Sequence, residues 1–171
     1  FVGQRGAYKN FRWMLEQLSD LLCSDASLHL VCVGGAAFDA GEKAYFASKG
    51  LTDKVFHPSI RTDVELAELY ARARCFIFPS RYEGFGLPVL EAFSCGCPCV
   101  LNAVSSLPEV GGDASLYFND NEGEALVNAV NGLLHDQNLR DSLIKKGYDR
   151  VQQFTWQKSV EAHRIVYQSL I

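Results

Sequence analysis

The chain has 171 residues, 48% hydrophobic and 21% charged, with a formal net charge of -4. That length suits about one domain, and the composition excludes disordered, collagen-like and low-complexity classes. The negative balance excludes a general electrostatic grip on nucleic acid, which needs surplus Lys and Arg, so any phosphate must be held locally.

Apolar runs of strand length alternate with segments of helical period, which predicts parallel βαβ units around a buried sheet of about six strands. Phe1 to Gly3 reads as the tail of a strand, and a helix follows from about Asn10 to Cys23 with Phe11, Met14, Leu15, Leu18, Leu21 and Leu22 on one side. Leu28 to Val33 reads as a buried strand ending at Gly34-Gly35, then a helix over roughly Asp39 to Lys49 and a strand at Val55-Phe56-His57, stopped by Pro58. Asp63 is placed to cap a helix beginning near Val64, and Cys75 to Phe78 is the next buried strand. A loop, Arg81 to Phe85, leads into a helix from about Gly86 to Ser94, with Cys95-Gly96 as its stop. Strands at Cys99 to Leu101 and Ser115 to Phe118 enclose a short helical turn at Leu107 to Val110. From Glu122 the pattern is wholly helical: about Glu122 to His135, Leu139 to Gln152 and Trp156 to Leu170. In such an open α/β sheet ligands bind beyond the C-terminal strand ends, so the informative loops follow residues 3, 33, 57, 79 and 101.

Two of those loops carry chemistry. Gly3-Gln4-Arg5-Gly6-Ala7-Tyr8-Lys9-Asn10 puts two cations where the chain enters a helix, an arrangement suited to a diphosphate as well as to a solvated surface loop. Pro79 to Glu91 is more specific: Gly84 and Gly86 let backbone lie against a ligand, and the following helix, with Pro88 near its start, offers free amides to an anion. Glu83 and Glu91 suit sugar hydroxyls, which donate hydrogen bonds to carboxylates, better than phosphates, which repel them. Paired Glu residues also occur in glycosidases, but the phosphate-friendly loop argues for a nucleotide-activated sugar.

Other chemistries find little support. Val89 stands where a dinucleotide fingerprint needs its third Gly, and there is neither a P-loop nor an Asp-x-Asp pair to hold a metal. Protein cations must then replace metal on a diphosphate, and no metal site or other cofactor is expected. The Cys95-x-Cys97-x-Cys99 run lacks a zinc complement, and the six cysteines read as reduced thiols of a cytoplasmic protein. Of the four His residues only His57 sits at a ligand-side strand end, and no Gly-x-Ser-x-Gly elbow marks a Ser nucleophile. No apolar run approaches the ~20 residues that cross a bilayer, and the opening residues are neither a signal peptide nor a natural initiation. The chain reads as starting mid-protein.

Gly3-x-Arg5-x-x-Tyr8-Lys9-Asn10, Phe78-Pro79-Ser80-x-Tyr82 through Ala92, Gly96-x-Pro98 and Leu107-Pro108-Glu109-Val110 together resemble the C-terminal, donor-binding half of family 4 retaining glycosyltransferases of GT-B fold. The specific part is the E-x7-E motif from Glu83 to Glu91. The resemblance implies a Rossmann-like three-layer α/β/α domain over residues 1–171, whose C-terminal helices, about 139–171, pack on it and toward an N-terminal half carrying the acceptor. It implies transfer of a hexose from a UDP or GDP sugar with retention, Arg5 and Lys9 on the diphosphate, and Glu83 on the donor sugar. Gly3 and the amides of Phe85, Gly86 and Leu87, after Gly84, would meet phosphate or sugar. Glu91 would bind the ribose, and the Pro58-Ser59-Ile60-Arg61 loop the base. Some relatives place Arg directly after the first Gly, where this chain has Gln4. The acceptor would be a carbohydrate or lipid-linked molecule of polysaccharide biosynthesis, in the cytoplasm or at the inner membrane face, and this half alone would be inactive. Val160, Ile165, Val166, Leu170 and Ile171 of the last helix would then be partly exposed. The alternatives are a nucleotide-sugar epimerase of the same fold and a non-catalytic nucleotide-binding or interaction module.

Overall fold

Strands covered by helices on both faces need no polar side, and the short apolar runs fold accordingly. In the computed structural model, which describes residues 1–170, β1 (Leu30–Val31) pairs in parallel with β2 (Val55–Phe56). A second parallel piece runs β3 (Phe76–Phe78), β4 (Cys99–Asn102), β5 (Ser115–Phe118), with Phe76 opposite Cys99 and Cys99 opposite Ser115. The expected strand at Phe1 to Gly3 is reduced to a single parallel bridge between Val2 and Val33. Its bonds are Val33 N–H to Phe1 O at 2.9 Å and Gly3 N–H to Val33 O at 2.8 Å. Among the described residues the strands thus form two parallel sheets, of two and three strands, with the Val2 bridge beside the first, where one sheet of about six strands was expected. β1 is shorter than Leu28 to Val33 because its partner is short: β2 lies between a turn at Thr52 to Lys54 and Pro58.

The helices are α1 (Phe11–Ser24), α2 (Ala40–Ser48), α3 (Asp63–Arg72), α4 (Leu87–Ser94), α5 (Leu107–Gly111), α6 (Gly123–His135), α7 (Gln137–Val151) and α8 (Trp156–Gln168). Asp39 and Glu42 close a capping box on α2. At α3 the cap is Thr62, whose hydroxyl accepts from Glu65 N–H at 3.2 Å; Asp63, expected as the cap, is the first helical residue, where its charge faces the positive end of the dipole.

The strand pleat sorts the core into two layers. Ile77, Val100 and Phe118 pack with Met14, Leu15 and Leu18 of α1 and Leu126 and Leu133 of α6. Phe76, Phe78, Cys99 and Leu101 point the other way, onto Tyr70 of α3, Val89 and Phe93 of α4, and Leu107 and Val110 of α5. Residues one apart on a strand thus feed opposite cores, which is the three-layer α/β/α arrangement. Burial pushes the Cys97 thiol up to about 12 and those of Cys32 and Cys75 to about 11, so these cysteines act as small neutral packing groups. No helix of the described residues is long and apolar enough to cross a membrane.

The C-terminal helices divide. α7 lies against α4 so closely that a Cβ on Gly147 would come within 2.9 Å of the Phe93 ring. α8 does not pack on the domain as expected: it is exposed along its whole length, with Trp156 80% exposed and Val160, Ile165, Val166 and Leu170 also in the open. Ile171 lies outside the described residues. Leu101→Ala, a truncation in the fully buried layer, should cost about 2–5 kcal/mol of unfolding free energy by urea denaturation. Trp156→Ala should change it by no more than about 0.5 kcal/mol.

Candidate functional site

Parallel strands end at one edge, so the loops after Val2, β1, β2, β3 and β4 collect there. Gly3 leaves the bridge at φ +132°, a conformation that side chains rarely adopt, and the Lys9 ammonium lies 3.7 Å from where a Cβ on Gly3 would be. Lys9 closes a 3₁₀ turn, Ala7–Lys9, and its ammonium lies 5.0 Å from the centre of the Phe78 ring. From there it donates to Glu83 Oε1 at 2.5 Å. The two side chains are 12% and 14% exposed, so the pair is largely withdrawn from water, where its attraction is less screened.

Arg5 is placed differently. Its Nε donates to Glu42 Oε1 at 2.6 Å and its Nη2 to Ala36 O at 2.6 Å, while Nη1 reaches Gly34 O at 3.2 Å. The side chain is 8% exposed and lies over the Phe38 ring. A guanidinium this buried must have its donors paired, and here they are spent on α2 and the loop before it. His57 Nε2 meets the same Gly34 oxygen at 3.2 Å. Of the two expected cations, the structure places Lys9 beside Glu83 and bonds Arg5 to Glu42, Gly34 and Ala36. The Arg5 hydrogen bonds hold the Glu42 carboxyl below its usual value of 4.5.

The loop from Arg81 to Gly86 is tied at several points. Arg81 N–H donates to Tyr8 O at 2.8 Å, and its side chain pairs with Asp120 at 2.7 Å. The Glu83 carbonyl accepts from Ser105 Oγ at 2.7 Å and Ser106 Oγ at 2.9 Å. Sequence reasoning missed Glu42 and both serines. For Ser105 and Ser106 the available signal was a hydroxyl pair directly before the Leu107-Pro108 helix start.

Gly86 precedes α4 at φ +105°, buried with a Cβ position 3.1 Å from Leu107, and α4 has no side-chain cap. Among the described residues the amides of Phe85, Gly86 and Leu87 make no hydrogen bond, so three consecutive donors stand free beside Glu83. Gly84 and Phe85 are exposed. Glu91 sits in the second turn of α4, roughly 6 Å along the axis from its start, and accepts from Tyr70 Oη at 3.3 Å. Burial, then the Glu91 charge, pushes the Tyr70 hydroxyl far up, so it stays a donor. Among the described residues Glu91 makes no hydrogen bond or ion pair with Arg5, Lys9 or Glu83. Ser59 is exposed and Ile60 half-buried, and their loop ends where Arg61 N–H donates to Glu65 at 2.7 Å. The described residues contain no cluster of three His, Cys, Asp or Glu groups arranged to hold a metal. A cavity of about 320 Å³ between Leu28, Cys75 and Leu134 includes none of these site residues.

Residues 1–150 match the family model described as glycosyl transferases group 1. The O-antigen chain mannosyltransferase B of Escherichia coli is 42% identical over 108 residues, which is 61% of this chain and 28% of that protein. The sucrose-phosphate synthase structure from Thermosynechococcus elongatus superposes with a TM-score of 0.78 at 28% identity, over 99% of this chain and 45% of that one. The HepE structure from Anabaena, solved with UDP and glucose, superposes at 0.78 with 20% identity, over 99% of this chain and 48% of that one. The chain thus spans less than half the length of each of these proteins.

A carboxylate held below its usual value stabilises the fold above its unfolded pKa, and that stability is lost as pH falls through the folded pKa. The stability difference between wild type and Glu42→Gln should therefore shrink as pH drops from about 6 to about 3, measured by urea denaturation at each pH.

Proposed function

The chain belongs to the glycosyl transferases group 1 family, and on that premise we propose that it is the donor-binding domain of an enzyme that transfers a hexose from a nucleoside diphosphate sugar, with retention of anomeric configuration. One observation carries this reading: a cation, an acid and three free amides meet at the mouth of the sheet, in Lys9, Glu83 and Phe85 to Leu87. Lys9 and the amides hold the diphosphate, whose charge grows as the glycosidic bond breaks, so a fixed ammonium stabilises the leaving group without a metal from this chain. Glu83 accepts from hydroxyls of the donor sugar. Glu91, steadied by Tyr70, accepts from the ribose hydroxyls, and the Pro58 to Arg61 loop borders the base. Arg5 contributes by holding Gly34 and Ala36 in place beside Gly3, a positioning role.

The acceptor, a carbohydrate or lipid-linked molecule, reaches the donor through an N-terminal Rossmann-like half, in the cytoplasm or at the inner membrane face. With donor alone this domain binds and does not turn over, because the second reactant is not oriented. The mannosyltransferase named above, and the neighbour solved with UDP and glucose, support a nucleotide sugar as the ligand class. Calorimetry with UDP and GDP should detect binding of at least one of them, unchanged by EDTA. Lys9→Met should weaken it by at least about tenfold, a charged hydrogen bond being worth about 1.5–3 kcal/mol, and Glu91→Ala should weaken it as well. Affinity indifferent to both substitutions contradicts the reading.

A further inference from the structure

We propose that Glu83 competes with the donor's diphosphate for Lys9, so that the site favours a sugar-bearing nucleotide over the bare nucleoside diphosphate and helps to expel the latter once the sugar has gone. The inference rests on the proposed donor site. Among the described residues, the Lys9 ammonium has no hydrogen-bond partner except Glu83, at 2.5 Å, and the carboxylate's one cation is Lys9. An arriving diphosphate therefore meets a cation already neutralised. The ammonium has two further donors, but a phosphate that uses them takes a share of the cation and crowds the carboxylate with a second anion, which favours its displacement.

What happens next depends on the sugar. Hydroxyls attached beside the diphosphate donate to the displaced carboxylate and replace the bond it lost, because a carboxylate only accepts. A bare diphosphate offers no such donors, and Glu83 is left desolvated against like charge. Once the sugar moves to an acceptor, the carboxylate loses its new partners and returns to Lys9. The loop restricts this exchange to the side chain, because the Glu83 carbonyl is fixed by Ser105 and Ser106.

The test is calorimetry on the 171-residue chain with UDP, GDP, UDP-glucose and GDP-mannose, comparing wild type, Glu83→Gln, Lys9→Met and the double variant. Glu83→Gln should bind the preferred nucleoside diphosphate about tenfold more tightly, or about 1.4 kcal/mol, and lose most of the preference for the corresponding nucleotide sugar. That gain should largely vanish in the Lys9→Met background, since the competition needs the cation. If Glu83→Gln does not fold, by circular dichroism, Glu83→Asp, withdrawn by one methylene, should show a smaller gain. Unchanged or weaker diphosphate binding in Glu83→Gln, with Lys9→Met still impaired, overturns this inference alone. The same gain in both backgrounds also overturns it, by showing simple repulsion. Absence of binding to all four probes by every variant overturns the donor site itself.

Discussion

Seventy-four positions separate Lys9 from Glu83, yet their side chains meet at 2.5 Å, because both loops leave the C-terminal ends of parallel segments. When every strand points the same way, every loop that follows a strand opens on the same edge, whatever its place in the chain. The Lys9 turn follows the bridge at Val2, and Glu83 follows β3. The bond from Arg81 N–H to Tyr8 O stitches these two loops directly, and the serines after β4 fix the second from its other side. A site so built depends on the strands staying in register, which is the work of two cores made from alternate residues of the same strands.

Much of this was legible in the sequence. Buried strands show as unbroken apolar runs, Phe76 to Phe78 and Cys99 to Leu101, and α4 through its Gly86-Leu87-Pro88 start. The mouth residues Lys9 and Glu83 were also visible, since loops rich in Gly with a few charges have few packing reasons to exist. Other features were illegible for physical reasons. Whether a loop arginine faces ligand or protein depends on an acid elsewhere; Glu42 is thirty-seven positions from Arg5 and looks like an ordinary capping residue. Likewise, Thr62 and Asp63 are both good caps, and only the backbone geometry decides between them. A strand's length is set by its partner as much as by its own residues, hence two residues in β1 where the run from Leu28 to Val33 offered six.

Beside the site, the C-terminal segment is attached at one point worth noting. Phe85, in the loop that carries Glu83, meets the Phe154 ring edge-on at 5.8 Å, and Arg150 lies over that same ring at 5.0 Å. Phe154 stands two residues before α8, so the position of that exposed helix and the loop next to the free amides share one aromatic contact. Arg150 in turn donates to Val110 O, at the end of the segment that begins with the two serines. The second strand-edge loop is thus held by packing as well as by hydrogen bonds.

The account stands on the proposition that an anionic phosphate pair settles among Lys9, Gly3 and the free amides before α4. Amide chemical shifts of the ¹⁵N-labelled chain, followed while UDP or GDP is added, report on that directly. The largest changes should fall on Gly3, Lys9 and Phe85 to Leu87, with little at Leu28, Cys75 and Leu134 around the apolar cavity on the other side. Changes centred on that cavity, or spread without a focus, would contradict it.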